Sequence, residues 1–398
     1  MGGRQQVSVE NLRFGMYVAE LDRPWAETPF AFQGFPLRTE QQLAALRKHC
    51  RHVYIDAERT EVSEARAAAT GGWVRGTAAY PEQRSVEQEM ELAKRTYRVC
   101  QRALDETLAT LRAGGELDAE ALQSAVGRIA DSIVRNPDAM LLIARLRDKG
   151  AYEFKRALDC SILMIALGRY LQLEREELDR LGLCGLLLDV GKLRVPDAIL
   201  RKPAALGPDE YEAAKRHVVH AGEILRAARR LPAGISEVVL RHHERHNGSG
   251  YPMRLKGDEI GLLGSMAAIV DSFSALTSAR PYAGQMAPAG AMGVLYKSRS
   301  QLFHQALVEQ FIQCIGIYPV GAAVELTTGE VGVVLAQNRS RKLQPRIAIV
   351  LDAQGRPLRP QKLVDLSREP RAAGGEPYRI RRTLEADKLA IDPRDFLL

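Results

Sequence analysis

The stretch "RHHERHNGSGYP", residues 241–252, decides the fold, because it places a histidine pair just before a short glycine-rich loop. Five of the chain's eight histidines lie between residues 217 and 246. His217 falls within one amphipathic helical segment, while His242 and His243 end the next, about 100° apart around its axis. In the loop, Asn-Gly favours a left-handed turn, and the final proline holds the preceding tyrosine extended. The sequence therefore predicts a tight loop beside two imidazoles.

Two acids elsewhere in the chain end similar apolar helical runs. Asp189 lies in "CGLLLDVGKLRVPDAIL", residues 184–200, and Asp271 lies in "AAIVDSFSALTSARPYAG", residues 267–284. Imidazoles and carboxylates from separate helices suit a metal centre in a helical bundle, and mixed nitrogen and oxygen ligands admit Fe, Mn, Ni or Zn. Any one of these histidines is more often an ordinary half-exposed side chain. The histidines, acids and loop together favour a functional site.

Composition is that of a globular protein, with 46% apolar and 26% charged residues in a chain of 398. The net charge of +7 arises from 56 basic and 49 acidic residues that are interspersed, which indicates a mild preference for anionic partners. Nothing in the sequence resembles a nucleic-acid-binding motif, so we expect no nucleic-acid partner.

The five cysteines are scattered and contain no CxxC pair, which favours a reducing compartment and argues against structural zinc. The first residues lack the apolar core of a signal peptide, and no apolar run approaches the roughly 20 residues of a membrane span. We therefore expect a cytoplasmic location.

The periodicity along the chain predicts a mainly α protein with β structure at both ends. Residues 1–70 mix short alternating stretches with one amphipathic helix, as a small α/β accessory domain would. A linker and helical hinge are expected over 71–134, a helical bundle over 135–318, and a β-rich segment with an unassigned tail over 319–398. The long helices from 86 to 134 could pair between chains, which leaves a homodimer open.

Three stretches resemble the signatures of HD-GYP proteins, the bacterial cyclic di-GMP phosphodiesterase branch of the HD superfamily. These are "LLLDVGK" (186–192), "RHHERHNGSGYP" and "DSFSALTSARPY" (271–282). In addition, "GMYVAELDRPWAETPFAFQGF" (15–35) resembles the accessory domain that often precedes HD-GYP. The resemblance implies the HD-superfamily helical bundle over the central domain, with cyclic di-GMP as its ligand.

The resemblance also implies roles for individual residues. Family members bind two or three metal ions, often iron or manganese, and the matching ligand positions here are Asp189, His217, His242, His243 and Asp271. Asp189 corresponds to the acid of the HD pair, and together with Lys192 it is the expected catalytic residue. Lys192 and Arg280 correspond to positions that contact substrate phosphate.

At two metal positions this chain departs from the family. The histidine of the HD pair is replaced by Leu188, and a histidine on the preceding helix corresponds to Arg156. Leucine donates no electron pair, and arginine stays protonated. A unit charge 4 Å from a divalent ion costs roughly 8 kcal/mol at an effective dielectric near 20. Because both losses fall on the same metal position, we expect one ion at most, iron or manganese.

Two arrangements of Arg156 remain open. The guanidinium could replace the missing ion and pair with Asp189 or Asp271, so that neither buried acid stays uncompensated, or it could point to solvent. Smaller departures are Asn247 before the glycine-rich loop and Ser274, with Ala283 after "RPY".

Two functions of different classes follow. The first is a degenerate HD-GYP protein in cyclic di-GMP signalling that has lost or impaired phosphodiesterase activity and binds the nucleotide or a signalling protein. Such a protein would contact the exposed loop Asn247, Gly248, Ser249, Gly250, Tyr251 and Pro252. The alternative is an active metal-dependent cyclic di-GMP phosphodiesterase, with another phosphorylated nucleotide as a third possibility. The two lost ligands favour signalling over efficient turnover.

Overall fold

A computed structural model describes residues 4–12, 16–30, 34–37, 40–56, 76–146, 155–278, 286–372 and 374–384. Within these ranges the protein is mainly α-helical and carries one antiparallel sheet near each end, which confirms the predicted fold class. Over the same residues, every helix is too short or too polar to cross a bilayer.

The helices and strands are numbered in chain order. The α-helices are α1 (Glu40–His49), α2 (Val86–Arg112), α3 (Ala119–Arg135), α4 (Pro137–Leu146), α5 (Lys155–Tyr170), α6 (Arg175–Leu187), α7 (Asp197–Leu200), α8 (Pro208–Lys215), α9 (His217–Ala227), α10 (Ile235–Arg241), α11 (Leu262–Leu276), α12 (Pro288–Ser298) and α13 (Gln305–Ile315). The strands are β1 (Arg4–Ser8), β2 (Tyr17–Leu21), β3 (Phe35–Pro36), β4 (His52–Asp56), β5 (Ala323–Leu326), β6 (Val331–Ala336), β7 (Arg346–Leu351), β8 (Pro357–Asp365) and β9 (Ile380–Leu384).

The N-terminal unit is a four-stranded antiparallel sheet in the order β1-β4-β2-β3, with helix α1 between β3 and β4 in the chain. Its strand β4 alternates between partly and fully buried residues, as a strand with one covered face should. Val18, Leu37, Leu46 and Val53 are fully buried and belong to a core separate from that of the helices. The small α/β unit expected from the sequence is therefore present.

Helices α2 to α6 and α9 to α13 contribute to one continuous apolar core. Helices α2 and α3, which fall largely within the linker and helical hinge expected over 71–134, contribute to this core. Their buried Glu89 accepts hydrogen bonds from Ser132 Oγ at 2.9 Å and Arg135 Nη2 at 2.7 Å, which joins α2 to α3. The domain boundary predicted at residue 134 therefore stays a prediction, because the described helices on both sides of it share one core.

The C-terminal sheet has the antiparallel order β8-β7-β6-β5-β9. Its central strands β6 and β7 are buried on both faces: Val333 and Val350 pack into the helical core, while Val334 and Ile347 belong to a smaller cluster. The backbone N–H of Gln337 donates to the Asp138 carboxylate at 3.0 Å, which fastens the sheet to α4. The tail over 378–398, which the sequence left unassigned, contributes β9, and its residues from 385 lie outside the described residues.

Two close approaches fix the positions of the predicted site residues. A Cβ on Gly185 would lie 2.7 Å from backbone atoms of Cys160, so glycine lets α6 pack directly against α5. After α6, the 3-10 helix Val190–Arg194 meets α9 at Gly191, where a Cβ would overlap the carbonyl oxygen of His217. This contact holds Asp189 next to His217.

We predict that Gly191→Ala lowers the free energy of unfolding by about 3 kcal/mol, because the added methyl group must displace α9 backbone. The matched control is Gly293→Ala in α12, where a Cβ would meet nothing within 4 Å. Alanine there should raise the unfolding free energy by up to about 1 kcal/mol. Denaturant unfolding measures both, and equal stability of the two variants would show that the contact at Gly191 is misplaced.

Candidate metal centre

Three imidazoles meet at the centre of the helical bundle. His217 begins α9, and His242 and His243 follow the last turn of α10. One nitrogen from each ring can be chosen so that all three lie within 4.8 Å of one another. The ring centroids of His242 and His243 are 4.1 Å apart, so the two adjacent histidines do reach one centre. The structure therefore brings the three predicted histidines together.

Hydrogen bonds orient two of the three rings. His217 Nδ1 donates to the carbonyl of Ala214 at 2.7 Å, and His242 Nδ1 donates to the carbonyl of Val239 at 2.5 Å. In each neutral ring the lone pair is then on Nε2, and neither buried Nε2 has a hydrogen-bond partner in the described residues. An unsatisfied buried acceptor with its opposite nitrogen fixed to a carbonyl is the arrangement expected of a metal-ligating histidine.

Burial keeps these rings neutral at neutral pH. Desolvation lowers the pKa of His217 to about 4, against a smaller opposing effect of Asp189. Burial likewise lowers the pKa of His242, and it lowers that of His243 well below its ordinary value, with help from the neighbouring histidines. Metal ligation requires the unprotonated ring, so all three are in the competent form.

The two predicted acids lie at the edge of the histidine cluster. Asp189 follows α6, and its Oδ1 is 3.6 Å from His217 Nε2. Asp271 lies in α11, and its Oδ2 is 4.0 Å from His243 Nδ1. The structure thus brings all five predicted ligands together.

Arg156 lies between the two acids. Its Nη2 donates to Asp271 Oδ1 in a short ion pair and to the Asp271 carbonyl at 3.1 Å, while its Nη1 is 3.7 Å from Asp189 Oδ2. Only 10% of the Arg156 side chain is exposed. Pairing with the acids, the first of the two arrangements considered from the sequence, is therefore confirmed, and the solvent-facing arrangement is wrong.

A second cation, Lys192, completes the balance of charge. Its Nζ donates to Asp189 Oδ2 at 2.8 Å. Burial favours the neutral acid, but Lys192 and Arg156 outweigh it and hold the pKa of Asp189 well below its usual range. The two carboxylates of the site therefore face two basic side chains, and their negative charge is already compensated.

The side of the site formed by the histidines can hold one divalent ion, whereas the side formed by Leu188 and Arg156 cannot. Three neutral imidazoles, each with one nitrogen close to the other two, form a ligand set known for divalent ions such as zinc. On the opposite side, Leu188 is 2% exposed and packs in the apolar core, and Arg156 occupies the space between the acids. Neither of these two side chains can ligate a cation.

Glu244 is a residue that the sequence reasoning did not single out. Its fully buried carboxylate accepts hydrogen bonds from the backbone N–H groups of Met253 at 2.7 Å and Leu255 at 3.0 Å. These bonds hold the end of the glycine-rich loop close to the histidine pair. From that loop, Tyr251 stacks on the ring of His243, with centroids 4.8 Å apart. The only signal in the sequence was the acid directly after the histidine pair, and its role depends on how the loop folds back.

The remaining sequence predictions are placed as follows. Asn247 closes its own turn, because its Oδ1 accepts from Ser249 N at 3.0 Å and Ser249 Oγ at 2.7 Å. Ser274 is buried at 2% exposure in α11. Arg280, the second expected phosphate contact, and Ala283 lie outside the described residues.

Three family models match separate parts of the chain. Residues 141–307 match a model described as HD domain, and residues 323–373 match a KOW domain associated with HD domain. Residues 4–122 match a domain of unknown function named DUF3391, which extends from the N-terminal sheet into α3. The HD match contains the histidines and acids described above.

Similar curated proteins are bacterial phosphodiesterases. The cyclic di-GMP phosphodiesterase PA4108 of Pseudomonas aeruginosa is 34% identical over 370 residues, which cover 92% of this chain and 89% of that protein. The cyclic di-GMP phosphodiesterase response regulator RpfG of Xanthomonas campestris is 31% identical and is matched over 56% of both chains. The 3'3'-cGAMP-specific phosphodiesterase 2 of Vibrio cholerae is 37% identical over 43% of this chain and 32% of its own length.

The similarity to PA4108 extends over nearly the whole chain, and the HD match spans the helices that carry the histidine cluster. This chain therefore belongs to the HD-GYP family of the HD superfamily, with an accessory domain ahead of its HD domain.

Proposed function

We propose that this chain is a cyclic di-GMP signalling protein with lost or strongly impaired phosphodiesterase activity, which acts by binding the nucleotide or a protein partner. The observation that carries this proposal is the Arg156 guanidinium between Asp189 and Asp271. A fixed positive group in that position compensates both acids without a metal ion. Leu188 removes a further ligand from the same side of the site.

The electrostatic argument concerns the second ion of a two-metal site. Two-metal phosphodiesterases place their ions roughly 3.5–4 Å apart, so that one steadies the attacking oxygen and the other the leaving oxygen. A second divalent cation next to Arg156 would be repelled by several kcal/mol even at an effective dielectric near 20. It would also have to share Asp189 with Lys192 and Arg156. We infer that at most one ion, iron or manganese, binds here.

That one ion would be held by His217, His242 and His243, with Asp189 and Asp271 beside them. When bound, it would polarise a phosphate oxygen of the nucleotide. The chain's own residues contribute the rest: Lys192 carries an ammonium group that can contact a phosphate while remaining near Asp189. The stacked Tyr251 shields one face of His243.

Cyclic di-GMP is the proposed nucleotide because PA4108 and RpfG, two relatives matched over more than half of their lengths, are named for it. A relative named for 3'3'-cGAMP matches a smaller share of both chains. The names of all three relatives refer to a cyclic dinucleotide, which is therefore the proposed class of ligand.

The second candidate function is an active phosphodiesterase that works with a single ion. The observation in its favour is the intact histidine cluster, whose Nε2 atoms on His217 and His242 have no partner among the described residues. All three histidines that the family resemblance assigns as ligands are present on that side of the site.

We predict that restoring the lost ligands with Leu188→His/Arg156→His increases turnover of cyclic di-GMP at least about 100-fold over the parent. Even changes around a metal ligand commonly alter activity 10–100-fold, and this variant restores two ligands. The assay uses purified protein with Mn²⁺ or Fe²⁺ under anaerobic conditions, together with calorimetric titration of the parent with cyclic di-GMP.

The matched control is Leu188→Ile/Arg156→Lys, which alters both positions without adding a ligand and should remain as inactive as the parent. Turnover by the parent at the rate of the restored variant would establish the single-ion enzyme instead. Circular dichroism spectra that match among the three proteins exclude misfolding as the cause of any difference.

We also predict that Arg156→Ala destabilises the metal-free protein by about 3–5 kcal/mol, because it leaves two buried carboxylates short of a cation. The vacated space and uncompensated charge should favour a divalent ion. Added Mn²⁺ should therefore raise the melting temperature of Arg156→Ala more than that of the parent, since a ligand that binds only the folded state stabilises it.

Arg156→Lys serves as the control, because it keeps a positive charge near the acids and should respond to Mn²⁺ as the parent does. Differential scanning calorimetry with and without Mn²⁺ gives both the loss of stability and the Mn²⁺-induced shift in melting temperature. An equal Mn²⁺-induced shift in all three proteins would mean that Arg156 does not compete with an ion.

A further inference from the structure

A pocket of about 680 Å³ opens between helix α8, the start of α9 and the glycine-rich loop. Its wall is formed by Tyr211, Lys215 and Arg216 on the helical side and by Tyr251 and Arg254 on the loop side. None of the histidines or acids of the metal centre lines it. The volume lies in the range of about 300–1,000 Å³ that is usual for small-molecule sites.

The pocket is electropositive. Lys215 pairs with Glu212 at 2.6 Å, whereas Arg216 and Arg254 form no ion pair with any residue in the described ranges. Three basic side chains therefore face one acid. Two unpaired guanidinium groups at one concave surface are suited to a phosphate, which accepts their N–H groups in pairs.

Aromatic rings lie beside these charges. The Lys215 ammonium is 5.3 Å from the ring centroid of Tyr211 and 5.3 Å from that of Tyr251. Tyr211 is 52% exposed, so much of its ring is available for contact. Aromatic side chains next to a basic groove are the recurring means of holding a nucleobase, because every base has a face that stacks.

The loop holds Arg254 in place. Arg254 has φ +56°, a left-handed conformation that is costly for a residue with a side chain. The residues on either side, Met253 and Leu255, both donate their backbone N–H groups to the buried Glu244 carboxylate. The buried acid thus keeps the strained residue at the pocket, and such retained strain is typical of functional sites.

We propose that this pocket is a nucleotide site separate from the metal centre, with the phosphate on Arg216 and Arg254 and the base on Tyr211. That the base is guanine rests on the proposed function; the site's preference for a phosphate joined to an aromatic base rests on the pocket alone. Tyr251 belongs to the pocket and also stacks on His243, so an occupant would lie one side chain away from the histidine cluster.

The test is calorimetric titration of the full chain with 5'-GMP and, separately, with inorganic phosphate. The dissociation constant for GMP should rise at least about 10-fold in Arg216→Ala/Arg254→Ala. It should rise about 5-fold or more in Tyr211→Ala, because stacking is lost. Tyr211→Phe keeps the ring and should bind like the parent. Arg229→Ala/Arg368→Ala, which removes two exposed arginines outside the pocket, should also bind like the parent.

Three results would overturn the proposal: no GMP binding by the parent, equal binding by all variants, or phosphate binding as tight as GMP binding. Lys192→Ala distinguishes this site from the metal centre. If Lys192→Ala loses GMP binding while the pocket variants retain it, the nucleotide lies at the metal centre and the pocket proposal fails, although the proposed function stands. Fast turnover of cyclic di-GMP by the parent would reject the proposed function and leave the pocket proposal intact.

Discussion

The structure of the site depends on one interaction, the placement of the Arg156 guanidinium between the carboxylates of Asp189 and Asp271. Two buried acids cannot stay ionised without a positive partner, whether a metal ion or a basic side chain. Here Arg156 and Lys192 supply that charge from within the chain. In such a site the charge of both acids is compensated without a metal ion.

The interaction is possible because helices approach one another closely. Gly185 lets α6 lie against α5, the helix that carries Arg156 in its first turn, and Gly191 lets the following turn lie against α9. On the other side of the cluster, Glu244 folds the glycine-rich loop back so that Tyr251 covers His243. One half of the site is thus held by backbone contacts between helices, and the other half by a buried carboxylate that orders a loop.

Much of this arrangement was predictable from the sequence. The spacing of His217, His242 and His243 and the family signatures predicted both the bundle and the histidine cluster. The direction of Arg156 was not, because it depends on how α5 packs against α11. The role of Glu244 depends on how the loop folds back onto the end of α10, and the pocket next to Arg254 depends on how that loop lies against α8 and α9. The linker and hinge over 71–134 stay a prediction, because amphipathic helices do not reveal from their sequence which core they join.

The most direct test of the central claim is anomalous diffraction at the manganese or iron edge, from crystals grown with that metal in excess. We expect a single peak next to His217, His242 and His243, with the Arg156 side chain still between Asp189 and Asp271. Two peaks of full occupancy that share Asp189, with Arg156 displaced from the acids, would contradict it.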